Sequence, residues 1–304
     1  MKINQIENVH LTDGTRVRLK QCGNLFEIRW IKVKPQPSIK KLDRNHYLDL
    51  LTGEIKEIRH HTNRASDLAS VSQSMGKLRD IINTNITNPE NALWVTLTYR
   101  YNMTDANQLY EDYRRFWQRF QYYLKNHMNT HAEYIVAAEP QGRGAWHLHA
   151  LFLFPEKAPF IANQVMARIW KHGFTKTKSL IGVDNPGLYL TAYLGDMEIT
   201  EAITAGRIKE GRLTQAKNSR KAILKGARLG LYPSGMNLYR CSRGIKKPVI
   251  DEMTEKEVQE ILKDTPLIYE KTISIEDDTG VVKNIINYRH YKMTEKSCLK
   301  SPTE

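Results

Sequence analysis

The hydrophobic pattern between Ala92 and Asp196 predicts a regular succession of strands and helices. ALWVTLTY is rich in β-branched and aromatic residues and predicts a central strand. Thr104 is expected to cap a helix whose apolar residues recur every three or four positions. EYIVAAE and WHLHALFLF predict an antiparallel hairpin around the loop PQGRG, followed by a helix at about 159–170, the strand FTKTKSL and a helix at about 187–195. This β-α-β-β-α-β-α order predicts an α+β fold, an antiparallel sheet with helices on one face in a ferredoxin-like arrangement.

The strand WHLHALFLF carries two faces of different character. Side chains alternate along a strand, so His147 and His149 share one face with Leu151 and Leu153. We expect the other face to be buried, since its residues are Trp146, Leu148, Ala150, Phe152 and Phe154.

The pattern divides the chain into four parts. We predict an accessory basic segment at 1–90, with a helix at about Asn63 to Asn83, and a catalytic core at 91–200. A basic segment that contacts nucleic acid is predicted at 201–250. A C-terminal helix and hairpin is predicted at 251–304, because Thr254 and Glu257 fit a capping box and SIEDDTGVVKNIINY fits a terminal hairpin.

Composition adds a strong positive charge to this picture. Lys and Arg total 46 against 33 Asp and Glu, a net charge of +13, which favours nucleic acid over an anionic membrane as the partner. The stretch 206–247 has twelve Lys or Arg and one acid, Glu210. A solvated basic surface would give the same pattern. We predict DNA contacts from Arg207, Lys209, Lys221, Lys225, Arg228, Arg240 and Arg243.

The two histidines suggest a metal site. With a five-residue loop PQGRG, Glu139 is expected opposite Ala145, which places it on the same sheet face as His147 and His149. One carboxylate and two imidazoles with open positions suit Mg²⁺ or Mn²⁺ better than a closed zinc site. Two structural histidines on a half-buried strand are the alternative.

Two tyrosines stand one helical turn apart in NPGLYLTAYLGD. Tyr189 and Tyr193 lie on one helix face, so both phenols can visit one site. A phenol has a pKa near 10, so it attacks phosphorus only when a metal polarises the phosphate and a cation or base lowers the cost of deprotonation. Aromatic residues at this spacing are otherwise core.

In order and spacing, WVTLTY, E-x7-HLH and the helix with Y-x3-Y resemble the three motifs of HUH endonucleases, most closely the rolling-circle replication initiators of small plasmids and single-stranded DNA phages. The resemblance covers about Ala92 to Asp196. It implies that His147, His149 and Glu139 hold a divalent ion, and that a tyrosine forms a 5′-phosphotyrosine link and frees a 3′-hydroxyl for a host polymerase. With two tyrosines, the second takes part in strand closure.

The resemblance departs from the family in one respect. The family's tyrosine helix often carries a lysine three residues after the tyrosine, whereas Ala192 follows Tyr189 and Asp196 follows Tyr193. We expect Arg207 or Lys209 to supply the cation, unless none does. Tyr193 is the expected first nucleophile because it lies nearer the basic segment.

The function expected from this resemblance is nicking and rejoining of single-stranded or hairpin origin DNA in the cytoplasm of a bacterial host. No GxxxxGK[ST] motif is present, so a host helicase would separate the strands. A relaxase or a single-strand transposase would share the chemistry, and an inactive relative would only grip DNA. The sequence shows no apolar run of about 18 residues for a membrane helix and no CxxC pair among Cys22, Cys241 and Cys298.

Overall fold

A computed structural model describes most of the chain, in the ranges 1–59, 67–183, 185–206, 212–215 and 222–293. It divides into two compact units. Unit 1 combines residues 1–60 with 248–304, and unit 2 comprises 61–247. This division differs from the four predicted segments, since the two ends of the chain form one unit. No helix in the described ranges is long and apolar enough to cross a membrane.

The helices in chain order are α1 (Leu68–Asn85), α2 (Ala106–Met128), α3 (Asn163–Trp170), α4 (Pro186–Gly195), α5 (Ile199–Thr204) and α6 (Glu255–Ile261). The strands are β1 (Lys2–Ile6), β2 (Arg16–Cys22), β3 (Leu25–Ile31), β4 (Ile39–Lys41), β5 (His46–Asp49), β6 (Ile55–Glu57), β7 (Ala92–Thr98), β8 (Glu133–Pro140), β9 (Trp146–Leu153), β10 (Thr175–Lys178), β11 (Met197–Glu198), β12 (Arg212–Gln215), β13 (Ala222–Lys225), β14 (Tyr239–Cys241), β15 (Val249–Thr254), β16 (Leu267–Glu276) and β17 (Val282–Lys292).

Unit 2 is built on a five-stranded sheet in the order β10-β7-β9-β8-β14, with every neighbouring pair antiparallel. The predicted succession of elements from β7 to α4 is confirmed. Two boundaries differ: Asp105 rather than Thr104 caps α2, because its carboxylate accepts from the Asn107 and Gln108 amides, and α3 begins at Asn163 rather than near 159. Part of the basic segment forms a small sheet, β11-β13-β12.

One face of this sheet is the predicted aromatic core. Phe116 and Phe120 of α2 and Trp170 of α3 pack with Leu148 and Phe152 of β9, and all five are fully buried. Burial of each such side chain contributes about 1.5–3 kcal/mol, so this face supplies much of the hydrophobic stabilisation of unit 2. The stripe predicted along α2 is therefore core.

The other face is covered as well, and the prediction of helices on one face only is wrong. Leu78 and Ile82 of α1 and Leu190 and Leu194 of α4 form a second buried cluster with Leu151 of β9. Apolar residues share the histidine face of the sheet with the polar ones, so that end of the face must also be removed from water. Consequently α1, expected in the accessory segment, is part of unit 2.

Unit 1 contains a six-stranded antiparallel sheet in the order β1-β16-β17-β3-β2-β15, and a small sheet of β4, β5 and β6. The predicted terminal hairpin is β16 and β17, and the Thr254–Glu257 capping box begins α6. The hairpin pairs with β1 on one side and β3 on the other, which is why the two ends of the chain share one sheet.

Candidate functional site

The β8–β9 hairpin sets the positions of the acidic residue and the two histidines. Glu139 pairs directly with His147, and Ala137 pairs with His149. The expected pairing of Glu139 with Ala145 was wrong by two residues, because the strand runs through Pro140 and the Gln141 amide donates to the Ala145 carbonyl. A shift of two keeps the side chains on the same face, so the three residues still meet.

Glu139 and His149 are in direct contact. His149 Nε2 lies 2.5 Å from Glu139 Oε2, and both side chains are buried. The other ring nitrogen, Nδ1, lies 3.3 Å from Oγ1 of Thr96, which pairs with His149 from the neighbouring strand β7. Hydrogen bonding at Nδ1 orients the imidazole and directs Nε2 toward the carboxylate.

His147 is held near this pair but without a close partner on its outer nitrogen. Its Nδ1 is 4.0 Å from Glu139 Oε2, and its buried Nε2 has no hydrogen-bond partner. Burial lowers the pKa of His147 to about 4 against the opposing charge of Glu139. The ring is therefore neutral near pH 7 and has a lone pair available for a cation.

Arg228 secures the carboxylate from the other side. Its Nη2 lies 3.0 Å from Glu139 Oε1. The guanidinium also makes a two-pronged ion pair with Glu201, at 2.9 and 2.6 Å, and donates to the Pro140 and Asp196 carbonyls. Burial raises the pKa of Glu139, but the His149 hydrogen bond and the charges of His149 and Arg228 outweigh it and hold the pKa below its usual value.

Arg228 was expected to contact DNA, and the structure places it elsewhere. It is 6% exposed, and all of its described contacts are to protein atoms of the hairpin end, α5 and the end of α4. A guanidinium so enclosed is poorly placed to reach a DNA phosphate. It instead orients Glu139 and offsets part of the charge of two carboxylates.

The residues present suit a divalent cation in their chemistry. One carboxylate and two imidazoles, one of them with an unpartnered buried nitrogen, are a usual donor set for such ions. Among the residues that the structure describes, no group of three or more His, Cys, Asp or Glu is already arranged around a metal position. Glu139 Oε2 and His149 Nε2, now in contact, would have to separate to admit an ion between them.

The tyrosine helix α4 packs close to this cluster. The Asn185 side chain accepts from the Leu188 amide, Pro186 occupies the first turn, and the Gly187 amide donates to Asn83 of α1. A side chain at Gly187 would lie 2.7 Å from the Arg79 carbonyl oxygen, so only glycine allows α1 and α4 to approach this closely.

Tyr189 reaches the cluster through Trp94. Its ring meets the Trp94 ring edge-on at 5.1 Å, and Trp94 in turn lies 5.8 Å from the His149 ring. Tyr189 is 39% exposed, so a strand of DNA has access to the phenol. Lys178 of β10 brings a cation to the same place, with Nζ 4.9 Å from the centre of the Trp94 ring.

Tyr193 lies in the last turn of α4, within the helix backbone that the structure describes. That end of α4 is tied to the strand of Glu139, because the Tyr232 hydroxyl bonds to both the Leu194 and the Ala138 carbonyls. Arg228 likewise joins the Asp196 carbonyl to Glu139. The backbone at Tyr193 is thus anchored beside the carboxylate.

The other predicted DNA contacts are placed at the surface or lie outside the described residues. Lys225, Arg240 and Arg243 are exposed, and the Arg240 guanidinium stacks 3.5 Å from the centre of the Tyr110 ring. Their contacts with DNA stay predictions. Arg207, Lys209 and Lys221 fall outside the part of the chain that the structure describes.

Sequence reasoning missed the residues that support the cluster. Thr96 and Trp94 are alternate residues of β7, and their share in the histidine face was available from the strand period once the pairing of β7 with β9 was known. No local pattern connects Arg228 with Glu139, since 89 positions separate them and only the fold joins them.

Residues 92–198 match a family model described as "Replication-associated protein" of the ORF2 type. The matched part runs from β7 to β11 and contains Glu139, both histidines and both tyrosines. It is about a third of the chain. No curated protein and no solved structure matches the chain. The family match supports a replication-associated role and, with it, DNA binding.

Proposed function

We propose that this chain initiates rolling-circle replication by nicking and later rejoining single-stranded origin DNA through a tyrosine. One observation carries the proposal: within the segment that matches a replication-associated family, Glu139 and the two histidines converge on one sheet face beside the helix that bears both tyrosines. The strand order β10-β7-β9-β8, with crossover helices α2 and α3, is the split β-α-β arrangement expected of a ferredoxin-like core.

Glu139, His147 and His149 would hold Mg²⁺ or Mn²⁺. The bound ion supplies Lewis acidity, drawing charge from a phosphate oxygen as phosphorus is attacked. Arg228 keeps the Glu139 carboxylate in one orientation, Thr96 orients the His149 ring, and burial keeps His147 unprotonated. These three residues prepare the ligands before DNA arrives.

A tyrosine of α4 is the nucleophile. The phenol oxygen forms a bond to phosphorus, the bond from phosphorus to the 3′ oxygen breaks, and the phenol proton ends on the released 3′-hydroxyl side or in solvent. The 5′ end stays on the protein as a phosphotyrosine, so the phosphodiester energy is conserved and no ATP is needed. Tyr193 remains our expected first nucleophile, with Tyr189 serving strand closure.

Lys178 is suited to offset the developing phenolate charge. Its ammonium group and the Tyr189 ring both contact Trp94, which brings a cation to the tyrosine helix without a lysine on that helix. A host polymerase would extend the 3′-hydroxyl, and a host helicase would separate the strands ahead of it.

The test is denaturing electrophoresis of the protein with a labelled single-stranded origin oligonucleotide and Mn²⁺, after nicking of supercoiled plasmid that carries its own gene has located the origin. We expect a covalent protein–DNA adduct that Tyr193→Phe removes and Tyr189→Phe retains with impaired strand closure. Peptide mapping identifies the linked residue. An adduct formed by the double Phe variant would overturn the mechanism, and DNA binding without any adduct in the unaltered protein would indicate an inactive relative.

A further inference from the structure

The sheet of unit 1 has two unlike faces. On one, Val258 and Leu262 from α6 and the turn that follows it pack against Leu19 and Ile28 of the two central strands, and all four are buried. The residues that alternate with this core point to the opposite face. They include Arg18 and are only half-buried.

One row of residues crosses this opposite face from strand to strand. The register places Arg18 beside Arg29, Arg29 beside Tyr288, and Tyr288 beside Lys271. Like charges directly opposite in a sheet destabilise it by up to about 1 kcal/mol. Neither Arg18 nor Arg29 forms an ion pair within the described part of the chain, so nothing there relieves this repulsion.

The cations continue into a groove of about 500 Å³ at the β15 edge of the sheet. Four cations line it, against two acids; the charged lining residues are Arg16, Arg18, Arg29, Lys34, Asp251 and Glu252. The Glu252 carboxylate is already bound by Lys34, at 2.8 and 3.0 Å. The groove therefore has positive charge left for an anion.

We propose that this face, defined by Arg16, Arg18, Arg29, Lys34, Lys271 and Tyr288, is a second DNA-binding surface that takes single-stranded DNA. A row of cations follows a phosphate backbone, and an aromatic ring between two cations on an open sheet provides a surface for stacking an unpaired base. The inference rests on the proposed action on DNA, and it does not depend on the nicking chemistry.

The first experiment compares two double substitutions in the full-length protein. Arg18→Gln with Arg29→Gln removes two charges from the face, and Lys256→Gln with Lys263→Gln removes two exposed charges from α6 and the turn after it, on the other side of the same sheet. Binding of an oligo-dT strand is measured by fluorescence anisotropy in EDTA over a range of salt concentrations. Because EDTA removes divalent ions, this reading is independent of nicking.

We expect the arginine variant to bind more weakly and the slope of log K against log salt to fall by about 1.4, or about 0.7 for each lost phosphate contact. The lysine variant should keep its slope. Thermal unfolding of the arginine variant should be unchanged or slightly higher, since a repulsive pair is removed. Equal slopes in the two variants would overturn the proposal, as would a loss of binding that accompanies unfolding.

The second experiment tests stacking at Tyr288. Tyr288→Leu should weaken oligo-dT binding by about fivefold or more, whereas Tyr288→Phe should preserve it because the ring remains. Neither variant should change binding to a blunt duplex. Equal weakening for duplex DNA would overturn the assignment to single strands. If nicking fails but these binding differences appear, only the proposed catalytic function is lost.

Discussion

Two regions of this protein bury an arginine against a glutamate, and they differ in what surrounds the pair. In unit 1, Arg289 and Glu255 make two parallel contacts of 2.6 Å, with Gln259 completing the carboxylate. In unit 2, Arg228 divides its contacts between Glu139 and Glu201, and the second oxygen of Glu139 is held by His149.

The difference shows what marks a reactive site. Each region has a buried nitrogen without a hydrogen-bond partner, Nε of Arg289 in one and Nε2 of His147 in the other. A guanidinium keeps its proton and offers no lone pair, whereas a neutral imidazole offers one. Thus an unpartnered nitrogen indicates a ligand site only where its chemistry allows coordination, and only the cluster of unit 2 meets that condition.

The largest contrast is expected from the histidines of unit 2. Either His147→Ala or His149→Ala should reduce nicking by about a thousandfold or more, because a polarising metal contributes several kcal/mol to the transition state. DNA affinity should stay nearly unchanged, since Lys and Arg contacts to phosphate dominate it. Plasmid nicking and anisotropy measure the two quantities.

The matched control for these variants is His131→Ala, at an exposed position in the turn before β8. It should nick normally, and EDTA should abolish nicking by the unaltered protein. Undiminished nicking by either site variant would remove the metal hypothesis.

The two arginines should differ next. Arg289→Met and Arg228→Met each leave a buried carboxylate without its guanidinium, so both should lose about 3–5 kcal/mol of unfolding free energy. Only Arg228→Met should also weaken Mn²⁺ binding, because Glu139 loses the group that orients it. Denaturant unfolding and Mn²⁺ titration calorimetry test this, and equal Mn²⁺ affinities in both variants would contradict a positioning role for Arg228.

A smaller effect is expected from the helix that carries the tyrosines. Gly187→Ala forces a methyl group to within 2.7 Å of the Arg79 carbonyl, so α4 must shift. A shift of about 1 Å at a reacting group can lower the rate about a hundredfold, and nicking should fall toward that extent with DNA binding retained. Single-turnover nicking measures it.

Gly195 provides the control within the same helix. A side chain there would lie 4.0 Å from Leu229 Cδ2, at ordinary contact distance, so Gly195→Ala should nick normally. If Gly187→Ala nicks as fast as Gly195→Ala, close packing of α1 on α4 has no bearing on the reaction.

The smallest change is expected from Glu139→Ala. Water can replace one ligand of an open site, so we expect Mn²⁺ binding to weaken by about ten- to a hundredfold, with part of the nicking restored at high Mn²⁺. Glu201 remains to pair with Arg228, so the fold should persist. Unchanged Mn²⁺ affinity would mean that Glu139 is not a ligand.

Local pattern was sufficient for the elements and for the shared face of the three site residues. Strand alternation placed His147 and His149 together, and it tolerated the two-residue error at Ala145 because parity, not register, decides which face a side chain occupies. The same reasoning failed for the helices of the second face. The sequence contains no local signal that says whether the apolar residues of α1 pack on the core or on the accessory segment.

The sequence by itself determined the basic charge, the order of strands and helices in the core, and the kinds of side chain that meet on the histidine face. These depend on composition and on short-range period, which are properties of neighbouring residues. Only the tertiary structure decided that Arg228 is buried against Glu139, that Trp94 links Tyr189 with His149, and that the chain termini share one sheet. Such contacts join residues far apart in the chain, and their formation depends on the packing of whole elements rather than on any local pattern.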